Sequence, residues 1–146
     1  MMPIVGAHVS AAGSLDLSFD RALDIGANAT QIFISPPQQW AQTKHSPEGI
    51  KKYRDNLEKS GIKANFIHGT YLVNLAAANP EHLQKSIDWL RYALKLAEEL
   101  NMDGVIFHTG SHKGAGLDQT IDQICKALIK ILEVLAVHPG GVDTKP

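Results

Sequence analysis

A short apolar run followed by a longer amphipathic stretch occurs four times in this chain, and this repetition constrains the fold more than any other feature. The apolar runs are residues 4–9, 29–34, 63–68 and 104–108. Apolar strands that alternate with amphipathic helices indicate a parallel sheet covered by helices. The sequence therefore predicts an α/β fold with four βα units.

Each predicted helix follows a start signal and carries an apolar stripe with helical spacing. The predicted N-caps are Ser14, Ser46, Asn79 and Asp118. The first stripe is expected to bury Leu23, and the last is expected to bury Ile121. Cys125, on the last helix, is interpreted as a small buried hydrophobic residue.

The number of units falls short of a closed barrel. A (β/α)₈ barrel typically takes about 250 residues, whereas this chain has 146. The sequence reaches Pro146 where a fifth strand is expected. We therefore expect residues 1–146 to be a single incomplete domain, the first four βα units of a (β/α)₈ TIM barrel, truncated before strand 5. A complete four-stranded open α/β domain is the competing interpretation.

Composition narrows the class of protein. An apolar content of 44% and a charged content of 20% are typical of a soluble globular chain. The sequence shows no export signal and no apolar run long enough to cross a bilayer. The single cysteine suits a reducing cytoplasm. A net charge of −1 gives no global attraction to nucleic acid, so DNA binding would need a local positive face or bound cations.

Two of the predicted strands end in a histidine, at His68 and His108. Because the carboxyl ends of parallel strands share one edge of the sheet, we expect the two imidazoles to lie side by side, as a pair of metal ligands would. A hydrogen-bonded structural histidine is the competing interpretation for each. Three further histidines are interpreted as solvated: His45, His82 and His138.

The loops that follow the first three strands suit contact with a ligand. Residues 6–14 carry small residues and His8, and we expect them to leave backbone surface open to a substrate. The proline loop (residues 36–40) includes Gln38. The wedge loop (residues 69–76) is more apolar than a surface loop should be, and its Tyr71 and Leu72 would suit insertion between DNA bases.

The loop after the fourth strand, residues 108–116, is called the glycine loop here because three of its nine residues are glycine. His112 is interpreted as either a loop cap or a phosphate contact. Lys113 and the backbone N–H groups around it suit a phosphate. No Walker-type sequence is present, so a nucleoside triphosphate is not indicated.

Four segments in this order resemble the endonuclease IV family of apurinic/apyrimidinic (AP) endonucleases. They are IVGAHVSAAG (4–13), QIF with QQW (31–33 and 38–40), IHGTYLVNLA (67–76) and FHTGSHKGAG (107–116). The resemblance implies a (β/α)₈ barrel holding three zinc ions that cleaves double-stranded DNA on the 5′ side of an abasic site in base excision repair.

The resemblance also implies roles for individual residues. His68 and His108 match two zinc ligands that share one ion, and Tyr71 and Leu72 match a pair that enters the DNA stack at the lesion. His8 matches a motif histidine at the barrel mouth, to which no ligand role is assigned. The full-length form is expected to be a monomer.

The sequence departs from the family pattern in three places. Gln38 stands where the family commonly has an arginine that enters the DNA, which should weaken contact with the lesion. Thr109 stands where proline is usual. The bridging glutamate on strand 5 and the later ligands lie beyond this chain, and two neutral imidazoles cannot hold a catalytic zinc cluster. The chain alone is therefore expected to be inactive.

Two other functions remain open from the sequence. One is a xylose-isomerase-like sugar isomerase or epimerase barrel, which would require acidic residues at the strand ends as metal ligands. The other is a non-catalytic half barrel that associates with itself through its open sheet edges.

Overall fold

The computed structural model describes residues 3–136, with side chains described as far as residue 133. Strands and helices alternate along the chain, as predicted. The strands are β1 (Gly6–His8), β2 (Ala29–Ile32), β3 (Ala64–His68) and β4 (Gly104–Ile106). The helices are α1 (Leu17–Asp24), α2 (Pro47–Ser60), α3 (Pro80–Leu100) and α4 (Leu117–Ala136).

The four strands form one parallel sheet in the order β1-β2-β3-β4, which confirms the predicted α/β architecture. Side chains alternate between the two faces of each strand. Ile32 and Ile67 lie on the face that packs beneath the helices and are fully buried. His8 and His68 fall on the opposite face, which is the face that a closed barrel turns inward.

The core lies between the sheet and the helices. Its largest fully buried side chains are Trp89 of α3, Tyr53 of α2 and Phe19 of α1. The rings of Phe19 and Tyr53 are 4.8 Å apart, so α1 and α2 share one packed layer. Burial of each such side chain contributes about 2 to 3 kcal/mol, and the layer fixes the strand ends on which the polar groups stand.

Two of the four predicted N-caps are confirmed. Ser46 Oγ accepts a hydrogen bond from Gly49 N at 3.1 Å, and Asn79 Oδ1 accepts from Glu81 N at 2.9 Å. Both caps precede a proline at the start of a helix, where the missing N–H costs nothing.

The other two predicted caps are wrong. α1 begins at Leu17, and Ser14 instead donates a hydrogen bond to the carboxylate of Asp16. That carboxylate also accepts from Asn56 at 2.8 Å and lies 3.0 Å from Lys52 Nζ, so it joins the start of α1 to α2. α4 begins at Leu117, which places Asp118 inside the first turn.

Several burial predictions on the first and last units are also wrong. The first strand is expected to be buried from its apolar run, but β1 is largely exposed. Leu23 and Ile121 are 43% and 48% exposed, and Cys125 is exposed. Within residues 3–136 the terminal units pack against a neighbour on one side, whereas the middle units pack on both. The predicted apolar stripe of the last helix extends to Leu135, which falls outside the residues whose side chains are described, as does His138. Across the described helices, none is long and apolar enough to cross a membrane.

Candidate metal and nucleic-acid site

Aromatic and imidazole rings gather at the carboxyl ends of the strands, an edge called the carboxyl-terminal rim here. His68 is the last residue of β3, and its ring centroid lies 5.6 Å from that of His8 and 5.5 Å from that of His108. The structure thus brings the two predicted ligands together. They meet because the carboxyl ends of parallel strands lie at the same edge of the sheet.

His108 does not end a strand, contrary to the sequence prediction. β4 stops at Ile106, the residue paired with His68, so His108 lies two residues farther along the chain. An interval of two residues keeps a side chain on the same face of an extended chain. The imidazole therefore lies on the same face of the sheet as His8 and His68, called the open face here, although strand pairing has ended at Ile106.

The hydrogen bond made by His68 fixes which of its nitrogens is free. Nδ1 lies 2.6 Å from the carbonyl oxygen of Gly69 and must donate, because a carbonyl oxygen only accepts. In the neutral ring this leaves the Nε2 lone pair available, the usual arrangement for a histidine that binds a metal.

The spacing of the two rings also suits a shared ion. With Zn–N bonds of about 2 Å, two imidazoles on one tetrahedral zinc place their centroids about 5 Å apart, close to the 5.5 Å observed. Among the residues whose side chains are described, no group of three His, Cys, Asp or Glu side chains is placed to hold a metal ion. The described part of the chain therefore offers a ligand pair and not a complete site.

The surroundings of His8 disfavour the charged form of its imidazole. Partial desolvation lowers the pKa of the imidazole, and the neighbouring His68 lowers it further.

Phe33 lies at the centre of this cluster, and sequence reasoning missed it. Its ring is 4.6 Å from His8, 5.0 Å from His68 and 5.4 Å from Tyr71. In the sequence it belongs to the apolar run of the second predicted strand, residues 29–34. The alternation of strand faces was the available signal, because a residue two positions after Gln31 lies on the open face with the histidines.

The wedge loop is tied to the proline loop and to the core. Tyr71 N donates to Pro37 O at 2.9 Å, and the Thr70 hydroxyl donates to the same carbonyl at 2.5 Å. Leu75 is fully buried, whereas the Tyr71 side chain is 57% exposed. The loop therefore presents an exposed aromatic ring from a fixed backbone, while Leu72 beside it is half-buried.

His82 and His45 are not the solvated residues that the sequence suggested. His82 Nε2 bonds to Leu72 O at 2.7 Å, and its ring packs 5.3 Å from Trp40, so it supports the wedge loop from α3. His45 is half-buried with no hydrogen-bond partner for its Nε2 among the described atoms. Burial lowers the pKa of His45, partly offset by Ile34 and Glu99.

His112 organises the glycine loop from within. Its Nδ1 accepts hydrogen bonds from Gly114 N at 3.2 Å and Gly116 N at 3.1 Å. Those two N–H groups are therefore turned toward the imidazole rather than toward a phosphate. Lys113 and Gln38 are exposed on their loops and remain available for contact with a ligand.

A parallel sheet in the sequential order β1-β2-β3-β4, with polar rings at the carboxyl ends of its strands, matches consecutive βα units of a TIM barrel. The family model described as "Xylose isomerase-like TIM barrel" matches residues 19–143. The chain belongs to this family, and its predicted resemblance to endonuclease IV is confirmed by the relatives it matches.

One such relative is the probable endonuclease 4 of Halothermothrix orenii, 40% identical over 85% of this chain and 45% of that protein. Endonuclease IV from Thermus thermophilus superimposes with a TM-score of 0.80 at 31% identity, over 93% of this chain and 48% of that one. D-psicose 3-epimerase from Clostridium cellulolyticum has a TM-score of 0.67 at 11% identity, which shows the fold alone. The chain spans about half the length of the curated relatives it matches.

Proposed function

We propose that this chain supplies part of the metal site and the lesion-recognition loops of a zinc-dependent AP endonuclease of base excision repair. The observation that carries the proposal is the His68–His108 pair beside the exposed Tyr71. The substrate would be double-stranded DNA, cleaved at the phosphodiester 5′ to an abasic site.

His68 and His108 would hold one zinc ion, which supplies a nucleophilic water and offsets charge on the phosphate. The Gly69 carbonyl keeps the proton of His68 on Nδ1, which would leave Nε2 free to bind the ion. No acidic side chain among residues 3–133 completes a metal-binding group with this pair.

The exposed side chains around the pair would contact DNA. Tyr71, with Leu72 beside it, would enter the stack at the lesion, because an apolar wedge can hold a base step open. Gln38 would approach the duplex from the proline loop. Lys113 would contact a phosphate, while His112 shapes the glycine loop and His8 lines the open face beside the ligand pair.

Zinc titration of the 146-residue chain tests the metal assignment. We expect weak binding that His68→Ala or His108→Ala abolishes, because each change removes half of the ligand pair. His45→Gln is the matched control, since it removes an imidazole beyond the proline loop and outside the His68–His108 pair. Tight zinc binding by the His68→Ala/His108→Ala double variant would contradict the assignment.

Nicking of a duplex with one abasic site tests the chemistry. The 146-residue chain alone should not cleave, whereas adding the complementary half of an endonuclease IV relative should give chelator-sensitive cleavage 5′ to the lesion. In that complex Tyr71→Ala should reduce cleavage and leave the zinc content unchanged. Full activity from the 146 residues alone, or nicking that resists a chelator, would overturn the proposal.

A further inference from the structure

Asn74 bridges two of the loops on the carboxyl-terminal rim. It lies in the wedge loop, and its Nδ2 donates to Ser111 O at 3.1 Å while its Oδ1 accepts from Ser111 N at 3.0 Å. The same oxygen accepts from Ala76 N at 3.0 Å. One side chain therefore bonds both the N–H and the C=O of a single residue in the glycine loop, as a neighbouring strand would do.

The backbones on either side of this bridge also pair. Leu75 N donates to Thr109 O at 3.0 Å, and Gly69 N donates to Ile106 O at 2.7 Å. The β3–β4 ladder ends at His68 and Ile106. These contacts extend the pairing of the two segments past the sheet, through the segment that contains His108.

Gly110 shows how closely the two loops approach. A Cβ atom at this position would lie 1.9 Å from Asn74 Oδ1 and 2.8 Å from Asn74 Cα. Its φ of +116° is one that residues with a side chain rarely adopt. Asn74 and Gly110 thus form one interlocked contact.

The other side of Asn74 is fixed to the core. Its backbone N–H donates to Ser86 Oγ at 3.0 Å, and that hydroxyl, which is fully buried, donates to His82 O. Asn74 thereby connects α3 to the glycine loop. It lies in sequence three residues after Tyr71 and contacts a loop that begins with His108.

We propose that Asn74 is a positioning residue that holds the glycine loop against the wedge loop, and so fixes His108 relative to Tyr71. Its consequence for DNA rests on the proposed function. A fixed separation would let the wedge and the ligand pair meet the same lesion without first ordering two independent loops.

Hydrogen exchange in Asn74→Ala tests the bridge without DNA or metal. The Leu75 amide is the reporter, because it bonds to Thr109 O and not to the side chain being removed. We expect its exchange to accelerate about tenfold or more, as loss of the Asn74 hydrogen bonds would allow.

Asn28→Ala is the matched control. Asn28 makes the same kind of bridge at the opposite edge of the sheet, accepting from Val5 N at 2.8 Å and donating to Pro3 O at 3.2 Å. It should leave the Leu75 amide unchanged. Wild-type exchange at Leu75 in Asn74→Ala would overturn the proposal.

Binding to abasic and intact duplexes separates positioning from a structural role. Asn74→Ala should lower the abasic-to-intact affinity ratio about tenfold, as expected when two elements that act together lose their fixed geometry, and Asn28→Ala should not. Asn74→Asp, which keeps the acceptor oxygen, should restore part of the ratio.

The outcomes of these two experiments are distinguishable. Faster exchange with an unchanged ratio would show that Asn74 is structural and would overturn the positioning role. If the wild-type chain shows no preference for the abasic duplex, the proposed function fails, and hydrogen exchange still decides whether Asn74 holds the two loops together.

Discussion

The two ends of the sheet are secured by the same chemistry and differ in what they expose. At the amino-terminal end, Asn28 bonds the backbone of residues 3 and 5, and Asp103 accepts from Asn65 N at 2.7 Å. At the carboxyl-terminal rim, Asn74 bonds the backbone of Ser111.

The two ends differ in the side chains that remain exposed once the backbone hydrogen bonds are made. The carboxyl-terminal rim also carries the rings of His8, Phe33, His68, Tyr71 and His108. Its loops are longer than the turns at the other end. A polar side chain that bonds to a loop backbone is thus evidence that the loop is structurally supported. Function depends on the exposed side chains that the supported loops carry.

The largest expected effect is that of Gly110→Ala, which should destabilise the chain by about 3 kcal/mol or more, from steric overlap together with an unfavourable φ. Gly114→Ala is the control. Its φ of +94° is similar and a Cβ there would meet no atom within 4 Å, so it should cost about 1 kcal/mol. Urea unfolding measures both. Equal losses would show that the glycine loop is not locked to the wedge loop.

Asp103→Ala should destabilise the chain by about 2 kcal/mol, because it leaves the Asn65 N–H without its carboxylate acceptor. Asp122→Ala, an exposed acid on α4, should change stability by less than about 0.5 kcal/mol. Zinc titration should give the same result for both variants as for the wild type. A loss of zinc binding in Asp103→Ala would mean that the two ends of the sheet are coupled.

Gln38→Arg should tighten binding to an abasic duplex by about 1 kcal/mol if one charge-assisted phosphate contact forms. Gln39→Arg adds the same charge one residue away and is the control for general attraction. Affinity measured at several salt concentrations separates the two effects. Equal gains from both variants would remove Gln38 from the DNA-contacting surface.

The smallest effect concerns His45, beyond the proline loop. Its pKa is lowered by burial, so the unfolded chain binds this proton more readily than the folded chain does. Its contribution to stability is therefore complete above about pH 6.5 and falls as the pH drops through the folded-state pKa. His45→Gln should flatten part of the fall in melting temperature between about pH 8 and pH 5. An unchanged slope would contradict the burial of this ring.

Sequence reasoning succeeded where the signal was local or periodic. Ser46 and Asn79 were predicted as caps because each precedes a proline and an acidic residue. It failed where a residue has two local options, as at Ser14, whose hydroxyl bonds to Asp16 instead of capping the helix. The predicted end of the fourth strand also lies too far along the chain, because the apolar run continues beyond Ile106, where strand pairing stops.

The candidate site was predicted only in part, because topology can be read from the sequence and individual long-range contacts cannot. His68 and His108 could be paired from topology, since parallel strands end at one edge of the sheet. Phe33 was missed although the alternation of strand faces places it with the histidines. Asn74 and His82 were missed because their partners lie in other segments of the chain: His82 bonds to Leu72 O, and Asn74 bonds to a residue 37 positions away. No periodic pattern reports such contacts.

The sequence by itself determined the order of strands and helices, the parallel sheet and the edge at which the histidines meet, because apolar periodicity and chain direction suffice for these. The tertiary structure alone decided which terminal apolar residues are buried, which nitrogen of His68 is free, and how the wedge and glycine loops are joined. These features depend on neighbours brought together from distant parts of the chain. Hydrogen bonds and burial change with differences in distance of a few tenths of an ångström, and the spacing of residues along a sequence does not encode such differences.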